Sequence, residues 1–214
     1  KIAARVMVGQ TMKQQGVKVE VTPKYMCVKE AVFPFTKFLG VDPVLGPEMR
    51  STGEVMGVGA SFGEALYKAE LGAGDRLPEK GTAFISVRDV DKARAVSVAT
   101  HLRDQGFNIV ATRGTAALLQ HAAIPCRVVN KVSEGRPNVV DMIKNGDVQL
   151  VIATADESRT QISDARQIRQ TALAQLGVVY YTTISGAAAA VEGQKHAKDV
   201  EVRSLQELHA MNRA

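Results

Sequence analysis

Residues 81–115 read GTAFISVRDVDKARAVSVATHLRDQGFNIVATRGT, and this segment indicates the fold class. It begins with a short apolar run, continues with apolar residues at helical spacing from Ala95 to Leu102, and reaches a second apolar run after Gly106. A glycine directly after a periodic segment is typical of a helix end. The segment therefore predicts a strand, a helix and a second strand.

The same alternation continues through the rest of the chain. Apolar runs separated by helical patterns predict five strands, at residues 83–87, 107–112, 127–130, 150–154 and 178–182. Strands that are apolar throughout are buried on both faces, which is typical of a parallel sheet between two layers of helices. The prediction for residues 81–214 is therefore an α/β domain with a doubly wound, five-stranded parallel sheet. Residues 200–214 predict a short extended piece and a helix capped by Ser204, with Glu207 completing the cap.

Residues 1–80 have a different character, because they contain five of the seven prolines. They predict a strand within residues 25–33 and a helix from Ser61 to Leu71, with Ser61 as its N-cap, Glu64 in a capping box, and Gly72 and Gly74 as the stop. Because so few helices and strands cannot form a good independent core, we interpret residues 1–80 as a truncated α+β piece of a larger domain. We expect the chain to be a fragment.

Composition restricts the functional classes. The chain is 45% hydrophobic and 23% charged, as globular proteins are, and it has no apolar run near the roughly 18 residues that a membrane helix needs. The excess of Lys and Arg over Asp and Glu is 27 − 22 = +5, which suits anionic ligands. With no Trp, four Tyr and six Phe, few rings are available to stack on bases. We expect neither a membrane nor a nucleic acid as partner.

The cysteines and histidines indicate no metal site. Cys27 and Cys126 are far apart and outside any CxxC pattern, so we expect two free thiols in a reducing cytoplasm. None of the four histidines has a second histidine or a cysteine three or four residues further on. No Walker A, Gly-x-Ser-x-Gly or dinucleotide-binding glycine motif follows the first strand of the predicted sheet.

Polar residues cluster where the predicted strands end. The first three strands are followed by Ser86 and Lys92, by Thr112, Gly114 and Thr115, and by Asn130 and Lys131. Ligands of doubly wound sheets bind at the carboxyl ends of the strands, and a helix N-terminus with lysines nearby attracts anions. These residues predict a phosphate-binding site, although a capped helix start would give the same Thr-x-Gly-Thr pattern. Arg136 is a second anion-binding candidate or part of an ordinary connector, with Pro137 predicted in the first turn of a helix.

Three motifs resemble a known family. KEAVFPF at residues 29–35 and GVDPVLGPEMRSTGEVMG at residues 40–57 resemble the end of the second ATP-grasp half of carbamoyl phosphate synthase large subunits. NKVSEGRP at residues 130–137 resembles their allosteric domain, which has the methylglyoxal-synthase-like fold. The resemblance implies that residues 1–80 are a C-terminal remnant of the carbamoyl-phosphate-forming ATP-grasp domain and residues 81–214 the allosteric domain.

The resemblance also implies a function for the parent protein. The family is a glutamine-dependent ligase that makes carbamoyl phosphate from bicarbonate, glutamine and two ATP for arginine and pyrimidine synthesis in the cytoplasm. It uses ATP with Mg or Mn and works with a glutaminase small subunit. This chain would be its regulatory end, with no catalytic residue and no cofactor of its own.

Site residues follow from the resemblance position by position. The phosphate of UMP or IMP is expected at Lys92, Thr112, Thr115 and Lys131, with Ser86 and Asn130 nearby. The activator ornithine is expected at Glu30, Tyr180 and Thr182. Its binding is expected to be weak, because further acidic partners would precede Lys1. Ala153 and Ala155 stand where the family has polar residues that hold ribose and base, so discrimination between nucleotides is expected to differ.

The alternative function is a phosphate-eliminating lyase that resembles methylglyoxal synthase. That chemistry needs a carboxylate base and a histidine near the substrate phosphate. Arg88 and Asp89 stand where that family has a His-Asp pair, and the loop at residues 135–137 lacks the catalytic Asp. A site without this acid and base is expected only to bind its ligand.

Overall fold

The computed structural model describes residues 1–17, 22–33, 51–154, 159–175 and 177–213. Its strands are β1 (Met26–Val32), β2 (Gly53–Gly59), β3 (Thr82–Ser86), β4 (Asn108–Ala111), β5 (Arg127–Val128), β6 (Leu150–Ala153) and β7 (Val179–Tyr181). Its helices are α1 (Ile2–Met7), α2 (Phe62–Ala73), α3 (Lys92–Asp104), α4 (Arg113–His121), α5 (Val139–Lys144), α6 (Arg159–Ala174), α7 (Ile184–Gln194) and α8 (Leu205–Arg213).

The predicted five-stranded parallel sheet is confirmed. Its strand order is β5-β4-β3-β6-β7, and every neighbouring pair is parallel. The central strand β3 pairs with β4 on one side and β6 on the other, with Ala83 opposite both Ile109 and Leu150. The strand order therefore reverses between β3 and β6, which is where a doubly wound sheet opens a crevice for ligands.

Helices cover both faces of the sheet, as the apolar strands predicted. Ile85 lies in a core with residues of α3, α4 and α7, whereas its neighbour Phe84 lies in a second core with residues of α5 and α6. Successive side chains of a strand point to opposite faces, so β3 needs apolar residues at every position. Both residues are fully buried.

The N-terminal part forms a small antiparallel unit. β1 and β2 pair with Met26 opposite Gly59, which confirms the strand predicted within residues 25–33. Helix α2 packs on this pair and also on α7, so it joins the unit to the sheet domain. A side chain at Gly57 would place its Cβ only 1.9 Å from the carbonyl oxygen of Ala65. The motif residues 34–50 lie outside the described ranges.

The predicted helix caps are largely confirmed. Ser61 Oγ accepts a hydrogen bond from the Glu64 N–H, but the Glu64 carboxylate accepts from Ala60 rather than from Ser61. Helix α2 continues past its predicted end at Leu71 to Ala73, because it is Gly74, with a left-handed φ of 89°, that forms the C-cap. At α8, Ser204 and Glu207 form the predicted reciprocal cap.

The prediction that Pro137 lies in the first turn of a helix is wrong. Helix α5 begins two residues later, because Asn138 caps it by accepting from the Val140 N–H at 3.0 Å. Within the described ranges, no helix has both the length and the apolar character that crossing a membrane requires.

Candidate functional site

A cleft opens at the point where the strand order reverses. It is lined by the segments that follow β3, β4 and β6, by Lys131 after β5, and by α6. Its volume is about 190 Å³. Because one water molecule takes up about 30 Å³ in the liquid, the cleft has room for a phosphate group and part of the molecule that carries it.

Five of the six residues predicted to bind an effector phosphate line this cleft: Ser86, Lys92, Thr112, Thr115 and Lys131. The hydroxyls of Ser86 and Thr112 share a hydrogen bond of 3.1 Å, and Thr115 Oγ1 accepts from the Val87 N–H at 3.2 Å. The sixth, Asn130, donates instead to the carbonyl oxygen of Pro137 at 3.3 Å. Its side chain thus supports the loop beside the cleft.

The N-terminus of α4 faces this cleft. Thr112 is its N-cap residue but makes no capping hydrogen bond, since its hydroxyl is engaged with Ser86. By contrast, Thr183 caps α7 by accepting from the Gly186 N–H at 3.1 Å. The first N–H groups of a helix need an acceptor from elsewhere when no side chain caps them, and the positive end of the helix dipole favours an anion.

Gly114 keeps the entrance to this helix terminus open. A Cβ built there would have the Lys92 ammonium as its nearest neighbour, 4.0 Å away. The ammonium therefore lies close to the α4 backbone, where both could contact the same ligand oxygen. Sequence reasoning anticipated Gly114 at this turn, and the structure places it in the lining of the cleft.

The charges around the cleft are mixed. The Lys92 ammonium is 2.7 Å from Asp89, and this hydrogen bond, with the charge of Lys131 adding to it, holds the pKa of Asp89 below its usual value. Asp164 of α6 accepts hydrogen bonds from both the N–H and the hydroxyl of Ser133. Each carboxylate in the lining of the cleft thus has a donor, and Arg88, Lys92 and Lys131 are the positively charged residues of the lining.

The segment between β3 and α3 is held by a network that the sequence did not reveal. Arg88 Nε donates to Asp91 at 2.7 Å, and the Arg88 N–H donates to Thr154 Oγ1 at 3.0 Å. Burial alone would raise the pKa of Asp91, but hydrogen bonds from Arg88 and from the Thr154 hydroxyl bring it below its ordinary value. The buried Asp91 is therefore an ionised anchor for this segment.

One wall of the cleft is apolar. Ala153 at the end of β6 is 7% exposed and lines the cleft with Ala165 and Ile168 of α6. Thr154 is the polar group that the end of β6 contributes. The other departure noted in the sequence, Ala155, lies outside the described residues.

The three residues expected to bind ornithine do not form one cluster of side chains. Glu30 lies on β1, and Thr182 is exposed after β7. The Tyr180 ring packs in the core beside α5 and α6, on the opposite sheet face from the Tyr181 ring. Because side chains alternate along β7, it is Tyr181 that faces the N-terminal unit.

The structure instead groups Glu30 with two acids that sequence reasoning missed. Tyr181 donates a hydrogen bond of 3.1 Å to the buried Glu70 of α2, and Asp75 follows that helix. Burial raises the pKa of Glu70 to about 7, and burial also raises the pKa of Glu30 and of Asp75. Within the described part of the chain, Glu30 Oε2 is buried without a hydrogen-bond partner. We call Glu30, Glu70 and Asp75 the acidic cluster.

Of the three residues of the acidic cluster, only Glu70 could have been recognised from the sequence. Glu70 follows Ala69 on the buried face of α2, and an acidic residue on such a face is unusual. Glu30 and Asp75 come from other elements, so their proximity depends on how β1 and α2 pack.

The remaining candidates lie away from the cleft. Arg136 is paired with Asp141 of α5, and no histidine is among the described residues that line the cleft. The described residues also contain no group of three His, Cys, Asp or Glu side chains that could hold a metal ion.

Comparison with known proteins agrees with this fold. Residues 94–182 match the family described as MGS-like domain. Almost the whole chain, 98% of it, aligns with large chains of carbamoyl phosphate synthase: it is 62% identical to that of Ralstonia nicotianae, 55% to that of Pseudomonas aeruginosa and 51% to that of Pasteurella multocida. The chain belongs to the carbamoyl phosphate synthase large-chain family. It spans about a fifth of the length of these relatives, 19% to 20%.

The family match covers most of the cleft. It contains Thr112, Thr115, Lys131 and Thr154, whereas Ser86 and Lys92 lie just ahead of it. The similarity to carbamoyl phosphate synthase large chains extends on both sides, because it covers nearly the whole chain. The resemblance stated from the sequence motifs is thereby confirmed, and a lyase of the methylglyoxal synthase type is not favoured.

Proposed function

We propose that this chain is the effector-binding part of a carbamoyl phosphate synthase large chain, and that its cleft binds a phosphate monoester, UMP or IMP. The observation that carries the proposal is the convergence of Lys92, Lys131 and three hydroxyls on the uncapped N-terminus of α4. Lysines supply charge, and hydroxyls and backbone N–H groups supply directed hydrogen bonds to phosphate oxygens.

The proposal assigns a role to each group. The Lys92 and Lys131 ammonium groups neutralise the phosphate, and Thr112 and Thr115 donate to its oxygens beside the α4 backbone. Ser86 orients Thr112 through their shared hydrogen bond. The sugar and base would extend toward the apolar wall at Ala153, where few polar groups select between bases.

The experiment is a calorimetric titration of the chain at low salt with UMP, IMP and inorganic phosphate. We expect saturable binding of at least one nucleotide. Lys131→Ala should weaken it roughly tenfold or more, because hydrogen bonds to charged groups contribute about 1.5–3 kcal/mol. Lys144→Ala removes the same charge from α5, outside the cleft, and should leave binding nearly unchanged. Equal losses in the two variants would contradict the proposal.

We also propose that the acidic cluster takes part in binding a cationic amino acid such as ornithine. The supporting observation is the buried, unpartnered Glu30 Oε2 in the described part of the chain, next to acids whose pKa values burial raises. A bound ammonium group would stabilise the ionised carboxylates and lower those pKa values. The resemblance adds Thr182, which is exposed at the end of β7, as a further contact of the same ligand.

Proton release tests this second site. If a cation binds the acidic cluster at pH 7, Glu70 loses its proton, so the heat of ornithine binding will depend on the ionisation enthalpy of the buffer. Glu30→Gln should abolish binding, while Glu54→Gln, which removes an exposed acid from β2, should not. A buffer-independent heat, or equal effects of the two substitutions, would contradict the assignment.

The activity of the whole enzyme completes the proposal. We infer that this chain regulates a cytoplasmic, ATP-dependent ligase that forms carbamoyl phosphate from bicarbonate, glutamine and two ATP for arginine and pyrimidine synthesis, with a glutaminase small subunit as partner. Within the described part of the chain, no group of three His, Cys, Asp or Glu side chains is arranged so that it could hold Mg or Mn. ATP and its metal ions are therefore assigned to the rest of the enzyme.

A further inference from the structure

Thr154, the first residue after β6, connects the last residue of β3 with two residues of the segment that follows β3. Its N–H donates to the carbonyl oxygen of Ser86 at 2.9 Å. Its hydroxyl oxygen accepts from the Arg88 N–H at 3.0 Å, and its hydroxyl proton is donated to Asp91. The hydroxyl of Thr154 thus acts as donor and acceptor at once, between a backbone group and a buried carboxylate.

This segment determines where the Lys92 ammonium lies. Lys92 is the first residue of α3 and directly follows Asp91, which is 8% exposed and also accepts from Arg88 Nε at 2.7 Å. With Asp91 fixed by two donors, the start of α3 has little freedom to shift relative to β6. The Lys92 side chain therefore reaches the α4 terminus from a fixed position.

We propose that Thr154 is a positioning residue for the anion cleft: its hydroxyl holds the segment between β3 and α3 so that Lys92 meets the ligand at the N-terminus of α4. This inference rests on the proposed phosphate binding. It assigns a function to a residue that faces the cleft yet has its hydroxyl committed to Arg88 and Asp91. Thr154 thus strengthens ligand binding indirectly, because it fixes the position of Lys92.

The test is a titration with inorganic phosphate and with UMP. Thr154→Val keeps the shape of the side chain but removes its hydroxyl, and we expect ~10-fold weaker binding, the effect of losing about one net hydrogen bond. Thr154→Ser keeps the hydroxyl and should bind within about twofold of the original chain. Thr100→Val is the matched control, because among the described residues the Thr100 hydroxyl bonds only to the carbonyl oxygen of Val96 in its own helix.

A second measurement uses the unsubstituted chain. If the Thr154 contact favours anion binding, bound anion must stabilise that contact to the same degree. Hydrogen exchange of the Arg88 amide should therefore slow when phosphate saturates the cleft, by the same ~10-fold factor by which Thr154→Val weakens binding. This readout needs no substitution and holds even if Thr154→Val fails to fold.

The outcomes separate this inference from the proposed function. Three results would each overturn the role of Thr154 while leaving the proposed function intact. They are unchanged phosphate affinity in Thr154→Val, an equal loss of affinity in Thr154→Ser, and an Arg88 amide whose exchange rate does not change when phosphate binds. If the unsubstituted chain binds neither phosphate nor UMP, the proposed function is overturned and the inference with it. A loss in Thr154→Val, rescue by serine and slower Arg88 exchange together support it.

Discussion

Glu70 makes the stability of this protein depend on pH in a direction opposite to that of most surface acids. Burial, with the nearby charges of Glu30 and Asp75 adding to it, outweighs the Tyr181 hydrogen bond and raises the pKa of Glu70 from 4.5 to about 7, so the folded state holds a proton that the unfolded state gives up. Between pH 4.5 and pH 7 the folded chain binds more protons, and its free energy of unfolding falls as pH rises through that window.

The magnitude follows from the pKa difference. A shift from 4.5 to about 7 corresponds to roughly 3 kcal/mol at 1.36 kcal/mol for each pKa unit. Glu70→Gln removes the titration while keeping an acceptor for the Tyr181 hydroxyl. We expect the variant to be up to ~3 kcal/mol more stable than the original chain at pH 8, and of similar stability near pH 4.5.

The assay is urea unfolding followed by circular dichroism at several pH values, with the variant compared with the original chain at each. Glu192→Gln is the control of opposite sign, because the Lys195 hydrogen bond lowers the pKa of Glu192. That variant should lose stability relative to the original chain above the ordinary pKa of glutamate. A difference between Glu70→Gln and the original chain that stays constant from pH 4.5 to pH 8 would refute the reasoning.

Two further predictions concern the cleft and the N-terminal unit. Asp89→Asn should raise phosphate affinity several-fold in a low-salt titration, because the Lys92 ammonium no longer has a competing carboxylate 2.7 Å away; unchanged affinity would contradict this. Gly57→Ala should cost about 3 kcal/mol in urea unfolding, since its Cβ would overlap the Ala65 carbonyl oxygen. Gly53→Ala, with no atom of the described residues within 4 Å of its new Cβ, should cost far less, and equal losses would disprove the packing argument.

The fold was predictable because its signals are local. Apolar runs, helical spacing and glycines at helix ends depend on neighbouring residues, and they correctly placed the strands around β3 and β6. Pro137 illustrates the limit of such signals, since its position suited a first helical turn but the adjacent Asn138 supplied a better cap. Boundaries depend on this competition between neighbours.

The cleft at the carboxyl ends of the strands was predictable for a different reason. Parallel strands bring their carboxyl ends to one edge, so Ser86, Thr112 and Lys131 could be placed together before any contact was known. Thr154 stood in the same position after β6, but its role depends on the path of the segment between β3 and α3. Sequence periodicity does not specify such a path, because irregular segments are set by individual hydrogen bonds.

The acidic cluster shows why average charge is a poor guide to local chemistry. A formal net charge of +5 favours an anionic ligand, and the cleft agrees with it. Yet Tyr181 of β7, the strand next to β6, faces the three acids of the acidic cluster. These are Glu30 of β1, Glu70 of α2 and Asp75, which follows soon after α2. Opposite ligand preferences therefore lie near the same edge of one sheet. Net charge is a sum over all charged residues of the chain. The ligand preference of each site depends instead on which charged residues the fold buries next to one another.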